Sequence, residues 1–163
     1  MAVGLAAALC AKAARLSSDQ MSDALDLLAT SERLRDRAAA LAELDAATYR
    51  LVASAKRDRT LDRRDRPRAI AEALSRASDA PVGIVEVAAG VVALAARVAE
   101  DGNSNLLGDM IAATLLAESA ARAAAALVTI NLAGAGDPRP KKVAELLQQI
   151  ADDSARARAR LVD

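Results

Sequence analysis

The stretch from Asp101 to Leu132, DGNSNLLGDMIAATLLAESAARAAAALVTINL, constrains the fold more than any other part of this 163-residue chain. It opens on Gly102, Asn103, Ser104 and Asn105, a cluster that favours a turn and offers side-chain oxygens to the unpaired N–H groups of a following helix. A helix is therefore expected to start near Asn105. Ala, Leu and Ile then dominate for about six turns, roughly 40 Å at 1.5 Å per residue, and so apolar a helix is expected to be largely buried. Asp109 falls in the first turn, where the helix dipole favours a carboxylate. Asn131 falls near the far end inside an apolar run, a polar group in need of a partner.

Composition extends the helical reading to the whole chain. Residues are 53% hydrophobic and 27% charged, biased to Ala, Leu, Arg, Glu and Asp, and no strand signal occurs, so the expectation is one all-α domain over residues 1–163. With one Tyr and no Phe or Trp, the core must be built of small aliphatic side chains that let helices pack closely but fill little volume each. Apolar faces left over by such a bundle suit a partner subunit, and a homodimer is expected. Lys plus Arg equals Asp plus Glu, so no global field recruits nucleic acid or an anionic membrane. The absence of His argues against a metal site and against Ser-His-Asp chemistry, and the lone Cys10 has no internal disulfide partner.

Met1 to Leu16 is apolar, but no basic residue precedes the apolar run, so it reads as the body of a buried helix and not as a leader; the protein is expected in the cytoplasm. From Ser22 to Arg57, Leu25, Leu28, Leu34, Leu41, Leu44, Leu51 and Val52 recur at three- and four-residue steps, the pattern of one long amphipathic helix or two in succession. Asp45 and Tyr49 stand one turn apart on the same side of it. Lys56 to Arg68 mixes Arg with Asp and lacks an aromatic to stack a base, so it reads as a solvated connection. Pro67 suits the first turn of a helix through Ile70, Leu74 and Ala77, which Ala80-Pro81 then breaks or kinks. Val82 to Val98 follows as an apolar helix, too short and too charged for a membrane span, with Glu86 either paired in the core or exposed at a helix edge, the edge being favoured by how carboxylates are ordinarily exposed. Gly and Pro between Ala133 and Pro138 end the central helix, and a last amphipathic helix, Lys141 to Leu161, turns Val143, Leu146, Leu147 and Ile150 inward.

Three of these stretches resemble the cyclodeaminase/cyclohydrolase family, which comprises the C-terminal domain of formiminotransferase-cyclodeaminase and stand-alone methenyltetrahydrofolate cyclohydrolase relatives. Gly102, Asn103, Asn105 and Asp109 match its GN-x-N-x-x-SD motif, with Gly108 in place of Ser. Asn131 and Leu132 match its closing NV-x-INL, with Leu127 in place of the first Asn. Asp45 to Tyr49 resembles its D-x-x-A-[FY], with Thr48 in place of Ala. Ala6 to Ser17 resembles its first helix, with Lys12 at a usually apolar position and without the family's upstream Pro-Gly-Gly-Gly-Ser turn, through truncation or through loss. The Gly-Lys pair expected soon after that helix is absent from Ser17 to Met21.

The resemblance implies an up-and-down bundle of about five long helices that dimerises, with a folate pocket between helices. It implies no resident cofactor, a tetrahydrofolate derivative being the substrate. The implied reaction forms 5,10-methenyltetrahydrofolate from the 5-formimino compound with release of ammonia, or hydrolyses the methenyl compound to 10-formyltetrahydrofolate. Either needs proton transfer at a one-carbon unit, which a positioned carboxylate supplies. By resemblance Asp45 is the acid/base, and Gly102, Asn103, Asn105, Asp109 and Asn131 bind the substrate, with the Asn103–Asp109 group and Asp45 expected at one cleft. Each residue also has a plainer role to hand: Asp45 as a solvated or salt-bridged helix residue, Gly102 in a turn, Asn103 and Asn105 as helix caps, Asp109 answering a dipole, Asn131 bonding the next helix's backbone. The alternative is a non-catalytic helical dimer that keeps the fold; a nucleic-acid-binding bundle using Arg57 to Arg68 is the weaker third reading.

Overall fold

Alanine and glycine set how the helices of this bundle meet. The computed structural model describes residues 2–60 and 62–160, and among them are six α-helices and no strand. They are α1 (Ala2–Arg15), α2 (Ala24–Arg57), α3 (Asp65–Arg76), α4 (Asp79–Asp101), α5 (Leu107–Asn131) and α6 (Arg139–Ala159), with a 3-10 turn, Ser104–Leu106, before α5. Leu34 and Leu41 of α2 fit where Gly90 and Gly83 of α4 leave room: a Cβ on Gly83 would lie 2.6 Å from a Leu41 methyl. Because the Leu numbers rise as the Gly numbers fall, α2 and α4 run antiparallel. Gly4 against Ala38 and Arg15 against Glu32 set α1 antiparallel to α2 in the same way. With α5 reversing after a tight turn and α6 reversing again, α1, α2, α4, α5 and α6 form the expected all-α up-and-down bundle, and α3 is a short side helix.

The centre of the bundle is α4 and not α5. Fourteen residues of α4 are buried, and α1, α2, α5 and α6 all pack on it. Along α5, Met110, Ala113, Ala117, Ala121, Ala124, Ala125 and Val128 are buried on one side only. Ala112, Leu115, Ser119, Ala123, Ala126, Leu127 and Ile130 are exposed, with Ile130 at 69%. The expectation of a largely buried α5 is corrected: its composition permits burial on every side, but one chain supplies cover for only one. α2 likewise leaves Leu25, Leu44 and Leu51 exposed.

Three boundaries differ from the sequence reading. The turn at Ser104–Leu106 delays α5 to Leu107. The break between α3 and α4 falls at Ala77 and Ser78, so Pro81 lies in the first turn of α4, where its missing N–H costs no helix bond. α6 starts at Arg139, and the expected end at Leu161 lies outside the described residues. By length and composition alone, Asp65–Asp101 and Ser104–Asn131 are long and apolar enough to cross a membrane, so the length argument against a span does not hold. What occupies the apolar surface of α4 is the four helices packed on it.

Candidate active site

On α2 the buried positions Ala24, Ser31, Ala38 and Val52 recur in steps of seven, the spacing of a packing seam, and Asp45 stands in phase with them. The seam is open there. Asp45, Tyr49, Val52 and Lys56, all on one face of α2, line a cavity of about 260 Å³. Its other walls are Leu74 of α3, Ala77 between α3 and α4, Pro81 of α4, and Leu127 and Asn131 of α5. Thr48, which replaces an Ala of the motif, is absorbed by the helix: its Oγ1 donates to the Leu44 carbonyl at 2.9 Å. None of the side chains of Asp45, Tyr49, Lys56 and Asn131 makes a hydrogen bond or ion pair among the described residues. The cavity therefore presents a carboxylate, a phenol, an ammonium and an amide, all free to meet a ligand with mixed donor and acceptor edges.

The remaining candidate residues sit at the opposite end of α5 and are bound up with α1. The Asn103 N–H donates to Ser17 Oγ at 2.9 Å, and its Nδ2 reaches the Leu16 carbonyl at 3.4 Å. Its Oδ1 accepts the Asn105 N–H at 3.0 Å, so Asn103 caps the 3-10 turn as the plainer reading holds. A Cβ on Gly102 would lie 2.4 Å from the Val98 carbonyl in the last turn of α4 and 2.9 Å from Ser17 Oγ after α1, so the turn out of α4, closed over by Ser17, requires glycine. Asp109 Oδ2 accepts from Lys12 Nζ at 2.7 Å, across 97 residues of sequence. Asn105 is exposed.

Asp109 and Asn131 are about 33 Å apart along α5 at 1.5 Å per residue. The expectation that Asn103, Asn105 and Asp109 share a cleft with Asp45 is thus not met within one chain: the structure groups Asp45 with Asn131 and leaves the other four together at the far end. Lys56 is the cavity residue that sequence reasoning missed, having been read as solvated connection. Its position eleven residues after Asp45, one more step along the same helix face, was the available signal. Among the described residues no group of three His, Cys, Asp or Glu could hold a metal ion.

The other carboxylates of the interior have structural partners. Glu86, expected at an edge, is paired by Lys142 of α6 and Arg37 of α2. The Lys142 hydrogen bond, followed by that of Arg37, holds its carboxyl below the usual range against the opposing effect of burial. Glu118 of α5 is held low by Arg122 and then by Arg158. Both carboxylates are committed to holding helices together.

A solved formiminotetrahydrofolate cyclodeaminase from Thermotoga maritima has a similar fold, with a TM-score of 0.84 and 22% sequence identity over 98% of this chain and 83% of that one. No curated protein matches the chain. The profile of the formiminotransferase-cyclodeaminase family matches residues 1–152, which include both ends of α5 and the Asp45 wall, and the chain belongs to that family.

Proposed function

We propose that this protein interconverts one-carbon units on tetrahydrofolate at the cavity between Asp45 and Asn131. It forms 5,10-methenyltetrahydrofolate from 5-formiminotetrahydrofolate with loss of ammonia, or adds water to the methenyl compound to give the 10-formyl compound. The observation that carries the reading is the cavity's set of four polar side chains with no partner among the described residues, which includes Asp45, the motif carboxylate not paired there with a cation as Asp109 is with Lys12. Asp45 accepts or donates the proton at the reacting carbon's nitrogen or water, and Asn131 and Tyr49 orient the ring.

The same reading includes a homodimer. The uncovered side of α5 carries Ala112, Leu115, Ser119, Ala123, Ala126 and Ile130 at three- and four-residue steps, with the small Ser119, Ala123 and Ala126 between the larger Leu115 and Ile130. That shape favours close crossing of a second α5 about a two-fold axis. Antiparallel packing carries Asn105 and Asp109 of one copy toward Asp45 and Asn131 of the other, so the two residue groups meet across the dimer. The non-catalytic alternative is favoured by one observation, the Lys12–Asp109 ion pair, which gives a motif carboxylate a purely structural partner.

The test is to follow methenyl absorbance with each substrate while measuring mass by sedimentation. The reading predicts turnover by a dimer; a monomer, or a dimer inert toward both compounds, contradicts it.

A further inference from the structure

Arg139, at the first position of α6, uses all five of its guanidinium N–H donors on its own chain. Nε and one Nη2 hydrogen grip the Asp137 carboxylate at 3.0 and 2.8 Å. The other Nη2 hydrogen goes to Ser75 Oγ at 2.7 Å. Nη1 donates to the Ser75 carbonyl at 2.9 Å and to Asp79 at 2.6 Å. One planar group thus ties the loop that leaves α5 after Asn131 to the last turn of α3 and the first turn of α4. The last turn of α3, the first turn of α4 and the junction between them carry Leu74, Ala77 and Pro81, and the loop follows directly on Asn131, so the tie reaches two of the three walls of the Asp45 cavity.

We infer that Arg139 is a positioning residue for the proposed reaction, holding the α3–α4 wall and Asn131 in register so that Asn131 faces Asp45 across a cavity of fixed width. The inference rests on the reading of that cavity as the active site. Arg139 makes no bond to α2, so it acts on Asp45 only through the separation of the walls. Three partners in three directions need a fork, and an ammonium on a flexible stem holds them less well.

Arg139→Met and Arg139→Lys are compared with Ile150→Val, a mild core change on the same helix away from the cavity. Turnover, KM and thermal midpoint are measured, together with emission of Tyr49, the chain's one tyrosine in the absence of tryptophan, which reads the α2 wall without any ligand. Displacement of a wall by about 1 Å should lower kcat by up to about 10²-fold. Both Arg139 variants should show that loss and altered Tyr49 quenching by added iodide, while Ile150→Val at a similar midpoint shows neither. Arg139 variants that match Ile150→Val in kcat and in Tyr49 quenching would overturn the inference. An inactive wild-type protein would overturn the reading of the reaction instead. The Tyr49 comparison then decides whether Arg139 holds the walls apart at a fixed width: changed quenching in its variants supports that, and unchanged quenching overturns it.

Discussion

The two ends of α5 carry residues of the same family motifs and treat them in opposite ways. At the N-terminal end Gly102 is crowded by Val98 and Ser17, Asn103 is bonded to Ser17, Leu16 and Asn105, and Asp109 holds Lys12. At the C-terminal end Asn131 and, opposite it, Asp45, Tyr49 and Lys56 line a cavity and make no side-chain bonds among the described residues. One end is arranged by its own chain before any ligand arrives, and the other is left for something else to complete. A residue's place in a motif therefore does not fix how it is held; the count of its hydrogen bonds that the fold already uses separates residues arranged within the chain from residues left open.

The contrast breaks most severely at Asp45. Asp45→Asn keeps size and hydrogen-bonding outline but not the exchangeable proton, so turnover should fall by about 10²–10⁴-fold. Because the residue is exposed and its side chain has no partner among the described residues, the thermal midpoint should stay put. A collapsed midpoint would move Asp45 to the framework side of the comparison.

The framework end should respond the other way. Gly102→Ala forces a methyl against the Val98 carbonyl and Ser17, and stability should drop by about 1–3 kcal/mol in a denaturant titration. A neutral result would show that the last turn of α4 and Ser17 both shift to admit a methyl group.

Acid should loosen the framework before it touches the fold's apolar packing. Glu86 and Glu118 are depressed below their ordinary value of 4.5, and Asp137, gripped by Arg139, is lowered from 3.8 to about 2. A carboxyl whose folded pKa is depressed stabilises the fold above its unfolded value and loses that contribution as pH falls through the folded one. The thermal midpoint should accordingly hold steady above about pH 4.5 and decline from there toward pH 2, the range set by these ordinary and lowered values. Glu86→Gln should flatten part of the decline, and an unchanged slope would contradict the pairing with Lys142 and Arg37.

The smallest effect belongs to Lys12→Met. Its ion pair with Asp109 is partly exposed, so it should contribute no more than about 1 kcal/mol, less in high salt. A larger loss would mean that the pair anchors α1 far more than its exposure implies.

How much of this was readable in the sequence divides along physical lines. The apolar run of α5, the Gly102 turn and the phase of Asp45 on α2 follow from local spacing, and the spacing is in the sequence. The central place of α4 was not readable, because an Ala-rich helix and a Val-rich helix are equally able to be buried and only the packed neighbours decide. The break at Ala77 and Ser78 was displaced from Pro81 because proline in a first turn loses no hydrogen bond. The separation of Asp109 from Asn131 follows from helix length, but the pairing of Lys12 with Asp109 spans 97 residues and leaves no local trace.

If the two ends complete each other across a two-fold axis, two inactive proteins should make an active one. Asp45→Asn and a double variant, Asn105→Ala with Asp109→Asn, are each measured alone and then mixed after dissociation and reassociation. A shared site predicts recovery toward about one quarter of wild-type turnover, since half the dimers are mixed and each has one of its two sites intact. Activity in the mixture no greater than the average of the separate variants would contradict it and return both groups of residues to separate duties within one chain.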